Sequence, residues 1–101
     1  MLDVLFCPKG VAVVGVGREE GSVGHEIFDN IRAADFKGKY FAVNPKAQEI
    51  HGEKVYPSIK DIPYPVDLAV IVVPAHLVPQ VMEESGEKGV KVAVIISAGL
   101  V

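Results

Sequence analysis

Cysteine is nearly absent: Cys7 stands alone among 101 residues. One thiol excludes an internal disulfide and a zinc cluster built on cysteines, so a reducing compartment is the simpler expectation and Cys7 reads as a small buried hydrophobe. Positive charge is also scarce. Ten Lys and Arg against 13 Asp and Glu leave a formal net charge of -3, which speaks against a nucleic-acid partner and means that any anion site must be local. No apolar run approaches the roughly 18 residues needed to span a bilayer, and MLDVLFCPKG lacks the basic start and long apolar core of a secretory leader. The expectation is a cytoplasmic protein with no membrane partner. Repeats, low-complexity tracts and Ser/Gly-rich linkers are missing as well, which fits one domain over residues 1–101. At that size folding buries roughly two thirds of the surface exposed by the unfolded chain, enough for a core without staples.

Catalytic signatures are missing too. No Ser-His-Asp order, HExxH or G-x-x-x-x-G-K-[ST] occurs, so hydrolase, metalloprotease and NTPase chemistry have no support, and neither catalytic nor metal-ligating residues are expected.

What is present is a series of short β-branched runs separated by amphipathic segments. Val11 to Val16 is apolar throughout, too short for a buried helix, and reads as a strand covered on both faces. Ser22 can cap the next segment, where Ile27, Phe28, Ile31 and Ala34 recur at helical spacing. Tyr40 to Val43 reads as a second strand stopped by Asn44-Pro45, and Lys54 to Tyr56 as a short third. Ser58 to Ile62 suggests one helical turn. Asp67 to Val73 reads as a central strand, Leu77, Val78, Val81 and Met82 as the stripe of a helix ending at Gly86 or Gly89, and Val92 to Ile96 as a fifth strand. Such a series indicates an α/β, Rossmann-like open parallel sheet of about five strands, order 3-2-1-4-5, with helices on both faces. Right-handed crossovers place a reversal beside strand one, and ligands settle at the carboxyl ends of strands there. The loops at Gly15 to Gly24, Asn44 to Lys46, Pro74 to His76 and Ser97 to Gly99 all fall on that edge. The fifth strand leaves an edge that could recruit another chain.

The first of these loops is rich in glycine, at 15, 17, 21 and 24, but Glu20 occupies the place of the third glycine of the dinucleotide fingerprint G-x-G-x-x-G. Backbone N–H groups at Gly15 and Gly17 and the start of the following helix can still meet a phosphate. An NAD site would carry an acidic residue at the end of the second strand to bind the ribose hydroxyls. Here the strand ends Val43-Asn44-Pro45-Lys46, and a lysine suits a ribose bearing its own phosphate. NADP and coenzyme A both meet that description.

The segments FCPKGVAVVGVGREEGSVGHEIFDNI, KGKYFAVNPKAQEIHGEKVYPSIKDIP and VDLAVIVVPAHLVPQVMEESGEKGVKVAVIISAGL resemble the N-terminal CoA-binding domain of the ADP-forming acyl-CoA synthetases, relatives of the succinyl-CoA synthetase alpha subunit. The likeness runs from Phe6 to the last residue, with VNPK, YPS, DLAVIVVPA and ISAG in the family's order. It implies a domain that binds coenzyme A, with Gly15, Gly17, Arg18, Val23 and Gly24 at the phosphates and Asn44, Pro45 and Lys46 near the nucleotide end. Val73, Pro74 and Ala75, then Ser97, Ala98 and Gly99, would line the path of the pantetheine arm. Two departures stand out: Gly17 occupies a place where relatives often carry Ser, and Glu19 and Glu20 bring negative charge that Arg18 could offset.

In the resembling enzymes phosphate passes through a histidine, but that histidine belongs to a later domain, so His25 reads as a residue that packs or touches a ligand, His51 as solvated and His76 as a capping or ligand-edge residue. The resemblance implies the N-terminal part of a longer polypeptide, acting with other domains or subunits of an acyl-CoA synthetase. The alternatives are an NADP-binding domain of an oxidoreductase or redox sensor, a free-standing or acetyltransferase-fused CoA-binding regulatory domain, and a fragment that binds nothing tightly.

Overall fold

Successive side chains of a strand leave opposite faces, so a run with no polar position must be covered twice. The computed structural model, which describes residues 8–16, 22–34, 38–46, 49–50 and 52–96, does this at β1 (Gly10–Val14), buried along its whole length. Ala12 and Val14 enter one apolar cluster, Val11 and Val13 another on the opposite face. Strands β2 (Lys39–Val43) and β5 (Leu68–Ile71) flank β1 in parallel. Beyond them lie β4 (Glu53–Tyr56), beside β2, and β6 (Val92–Ile95), beside β5, both parallel. The parallel order β4-β2-β1-β5-β6 is the expected 3-2-1-4-5. A sixth strand, β3 (Glu49–Ile50), pairs antiparallel with β4. Two residues carry no readable period, which is why the sequence conceals it.

The helices divide between the faces for a reason of handedness. The connections from β1 to β2 and from β5 to β6 cross the sheet in opposite directions, so right-handed crossovers place them on opposite sides. Helix α1 (Val23–Ala33) packs Phe28, Ile27 and Ile31 on the Val11 and Val13 face. Helix α2 (Val78–Lys88) packs Val78 and Val81 on the other. The crossover from β4 to β5 shares that second face. Its 3-10 turn, Ile59–Asp61, is capped by Ser58, whose Oγ accepts from the Lys60 N–H at 3.2 Å, and it buries Ile59 and Ile62.

Three readings of the helices need correction. Leu77 and Met82 are 40% and 39% exposed, and the side of α2 turned to the sheet is Val78 and Val81, both half-buried, with the buried Ser85. A separate 3-10 turn, Ala75–Leu77, precedes α2 and takes Leu77 out of helical register, while Met82 lies about 100° around the helix from Val81. Ala34 is exposed because its extended backbone ends α1. Gly89, at φ 91, ends α2, its N–H reaching the carbonyls of Ser85 and Gly86 at 3.1 Å. Cys7 lies outside the described residues.

At the amino ends of the strands, Asp67 ties three of them together. Its Oδ1 accepts from the Gly10 N–H at 2.8 Å and its Oδ2 from the Lys9 N–H at 3.0 Å, while its backbone carbonyl accepts from Lys91 and Val92. Burial alone would raise the carboxyl pKa, but the N–H groups of Lys9, Gly10 and Asp67 itself, with the charge of Lys91, hold it below its ordinary 3.8.

Four stability outcomes follow from these contacts. A carboxyl whose pKa is depressed in the folded state adds stability that is complete above its ordinary value and disappears as pH falls through the depressed one. Asp67→Asn should therefore lower stability by about 1–3 kcal/mol at pH 7, and urea titrations should show the gap to wild type closing below about pH 4. At Gly15, where φ is 106, an added Cβ would lie 1.9 Å from the Val72 carbonyl oxygen; at Gly89 it would meet nothing within 4 Å. Gly15→Ala should cost about 3 kcal/mol or more and Gly89→Ala about 1–2 kcal/mol by the same measurement. The Ser85 hydroxyl is buried without a hydrogen-bond partner among the described residues, so Ser85→Ala should add about 1 kcal/mol of stability and raise the melting temperature.

Candidate functional site

The parallel register aligns the strand ends. Val14 lies opposite Val43 and Ile71, Val43 opposite Tyr56, and Ile71 opposite Ile95, so the strands terminate in one row. The segments that follow leave at a single rim, and the chain's loop chemistry collects there. Gly15 turns away from β1 with its N–H on the Val43 carbonyl at 2.8 Å, and the backbone after β5 comes so close that no side chain fits at position 15. Asn44 joins three segments: its N–H donates to the Tyr56 carbonyl at 2.9 Å, its Nδ2 to the Val16 carbonyl at 2.9 Å, and its Oδ1 accepts from the Lys46 N–H at 2.8 Å. That last bond closes an Asx turn through Pro45 and leaves the Lys46 side chain exposed at the rim.

Helix α1 begins beside this turn. Ser22 precedes it in extended conformation, and its carbonyl accepts from the Glu26 N–H at 3.0 Å. A Cβ on Gly24 would lie 2.5 Å from the Gly15 carbonyl oxygen, so the first turn of the helix rests directly on backbone. Close helix-to-strand packing is the work of the third fingerprint glycine. Gly24 performs it four positions beyond the place held by Glu20. Two of the four loop glycines thus have steric causes, and what points to an anion here is the helix start with its partial positive charge, not glycine number.

Between the rim and α2 lies a cleft of about 430 Å³, within the range of small-molecule sites. Gly15, Asn44, Pro45, Lys46, Val73 and Pro74 of the predicted set line it. Val23 and Gly24 stand at the start of α1, and Ala75 opens the exposed 3-10 turn after Pro74. Gly17, Arg18, Ser97, Ala98 and Gly99 lie outside the described residues. The sequence reading missed Pro57, Leu77, Gln80, Val81 and Glu84, which also line the cleft. For Gln80, Val81 and Glu84 the signal was their spacing on one side of a helix whose start the crossover rule already placed at the rim, while Pro57 and Leu77 lie outside that helix. A second hollow, about 390 Å³ on the α1 face between Ile31 and Leu68, is lined by apolar side chains apart from Asn30.

Two of the three histidines, His25 and His76, lie among the described residues. His25 is buried at 2% exposure, with Nε2 3.2 Å from Asp29 Oδ2, and begins a polar chain along α1. Arg32 continues it from Asp29 to Glu53 Oε2 at 2.9 Å, and the Tyr40 hydroxyl donates to Glu53 Oε1 at 3.2 Å, so His25 belongs to the packing of α1 on the sheet. His76 is exposed on the 3-10 turn, and His51 lies outside the described residues. Among the described residues no group of three or more His, Cys, Asp or Glu could hold a metal, and no helix is long and apolar enough to cross a membrane.

The same arrangement recurs in known proteins. The family model described as a CoA binding domain matches residues 9–100. The chain is 54% identical over 98 residues to the ADP-forming acetate–CoA ligase I of Archaeoglobus fulgidus, covering 97% of this chain and 14% of that protein. It is 48% identical over 99 residues to the alpha subunit of ADP-forming acetate–CoA ligase II of Pyrococcus furiosus, 98% of this chain and 21% of that one. The solved apo structure of the dinucleotide-forming acetyl-coenzyme A synthetase 1 of Candidatus Korarchaeum cryptofilum superposes with a TM-score of 0.93 at 42% identity, over 99% of this chain and 22% of that one. The chain thus spans about a seventh to a fifth of the length of these relatives. With its parallel order, its rim of loops and a match over nearly its whole length, the chain belongs to the CoA-binding domain family.

Proposed function

We propose that this chain is the coenzyme A-binding part of an ADP-forming acyl-CoA ligase, working in the cytoplasm with other domains or subunits of that enzyme. The observation that carries the reading is Lys46: the Asx turn of Asn44 holds it at the mouth of the rim cleft, where an NAD site would place a carboxylate. An ammonium there matches a phosphorylated ribose. Gly15, Gly17, Arg18, Val23 and Gly24 then surround the diphosphate, with the start of α1 contributing its dipole. Asn44 and Pro45 shape the ribose end. Val73, Pro74 and Ala75, followed by Ser97, Ala98 and Gly99, guide the pantetheine arm along the rim.

In this reading the chain supplies binding and orientation. Coenzyme A brings a thiol, and the acyl phosphate and phosphohistidine chemistry takes place on other domains. Holding the nucleotide end on backbone groups and one lysine leaves the thiol end to reach across to them.

Calorimetric titration should show binding of coenzyme A, weaker binding of dephospho-CoA, and no comparable binding of NADPH. Lys46→Ala should weaken coenzyme A by about tenfold, near 1.4 kcal/mol, and leave dephospho-CoA almost unchanged. Binding of NADPH alone would overturn the reading.

A further inference from the structure

The cleft contains a group that an anion site should avoid. Glu84, half-buried on α2, lines the same hollow as Lys46. Its carboxylate is held from two sides: Oε1 accepts from the Ser58 hydroxyl at 2.9 Å and Oε2 from Gln80 Nε2 at 3.2 Å. Ser58 comes from the crossover and Gln80 from one turn earlier on α2, so the carboxylate is fixed by two different elements. A ligand with several phosphates can bind here only if the part it offers to Glu84 is uncharged and rich in donors.

We infer that Gln80 and Glu84 read the edge of the adenine ring, making this end of the cleft a base-specific subsite. This rests on the coenzyme A reading above. With Lys46 at the ribose phosphate, the group attached to that same ribose is the base, and the cleft that Glu84 lines carries apolar surfaces suited to a flat ring: Pro57, which precedes the Ser58 that holds Glu84, and Val73, Pro74 and Leu77. The exocyclic amine of adenine is a donor beside a ring-nitrogen acceptor. Each Glu84 oxygen keeps a lone pair beyond the bond it already accepts, and the Gln80 carboxamide has a second N–H, so the pair matches that pattern. Amide pairing to the same edge of adenine is a standard mode of base recognition. A hypoxanthine base reverses the pattern by placing a carbonyl oxygen where the amine was, directly against the carboxylate.

The test compares coenzyme A with its deaminated, hypoxanthine-bearing analogue on the full 101-residue chain. Wild type should bind coenzyme A on the order of tenfold or more tightly than the analogue. Glu84→Gln, which keeps the shape but can donate, should weaken coenzyme A and strengthen the analogue until the preference is lost or reversed. Gln80→Ala, on the exposed side of the helix, should narrow the preference without affecting folding. Equal binding of the two nucleotides by wild type would overturn the inference and leave the coenzyme A reading standing. So would equal weakening of both by Glu84→Gln, the mark of a purely structural residue. Failure of wild type to bind either nucleotide would overturn both.

Discussion

The approach of two backbones at Gly15 governs the rest of this structure. The turn after β1 and the backbone after β5 pass so close that a single methyl group would collide with the Val72 carbonyl. That contact sits at the point where the strand order reverses, because β1 pairs with β2 on one side and β5 on the other. It brings the loops from both halves of the sheet to one rim, and Gly24 then seats the start of α1 on the same turn. A side chain at either position would separate the loops and remove the site's geometry before any ligand contact was considered.

The two ends of the sheet are held by different chemistry. At the amino end Asp67 is consumed by structure, its carboxylate accepting the backbone donors of Lys9 and Gly10 at the start of β1. At the carboxyl end Asn44 does comparable work with a neutral amide, joining β2, β4 and the first loop. An aspartate at position 44 would lose the donor that reaches the Val16 carbonyl and would set a negative charge beside Lys46. A neutral linker at the rim leaves the local charge to Lys46 and to the helix start. A protein with net negative charge can in this way present a small positive edge to a phosphorylated ligand.

Polar contacts on the α2 side have a second consequence. The Ser58–Glu84 bond ties the crossover to the helix, and Gln80 steadies Glu84 from within that helix, on the α2 side of the cleft that Lys46 also lines. Lys60 pairs with Glu87 at 3.1 Å and the Lys88 ammonium reaches the Ile62 carbonyl, so the same two elements are also joined further along. The wall of the cleft is therefore a braced surface. With Glu84 on this wall and Lys46 on the rim, the cleft suits a ligand that is anionic at one end and neutral and donor-rich at the other.

Much of this was readable in the sequence because it depends on local pattern. Val11 to Val14 and Leu68 to Ile71 have no polar position, which alone requires cover on both faces, and handedness then fixes the strand order. Lys46 could be placed on the rim because the Asn-Pro pair marks where β2 stops. The tertiary structure alone decided what depends on distance between remote segments: that Gly15 and Gly24 serve backbone contact, that His25 turns inward to Asp29, that β3 exists, and that Gln80 and Glu84 line the cleft. Periodicity reports which side of an element is apolar, but a polar side chain on a helix looks the same in sequence whether it faces water or a ligand, and only the packing of one element against another separates the two.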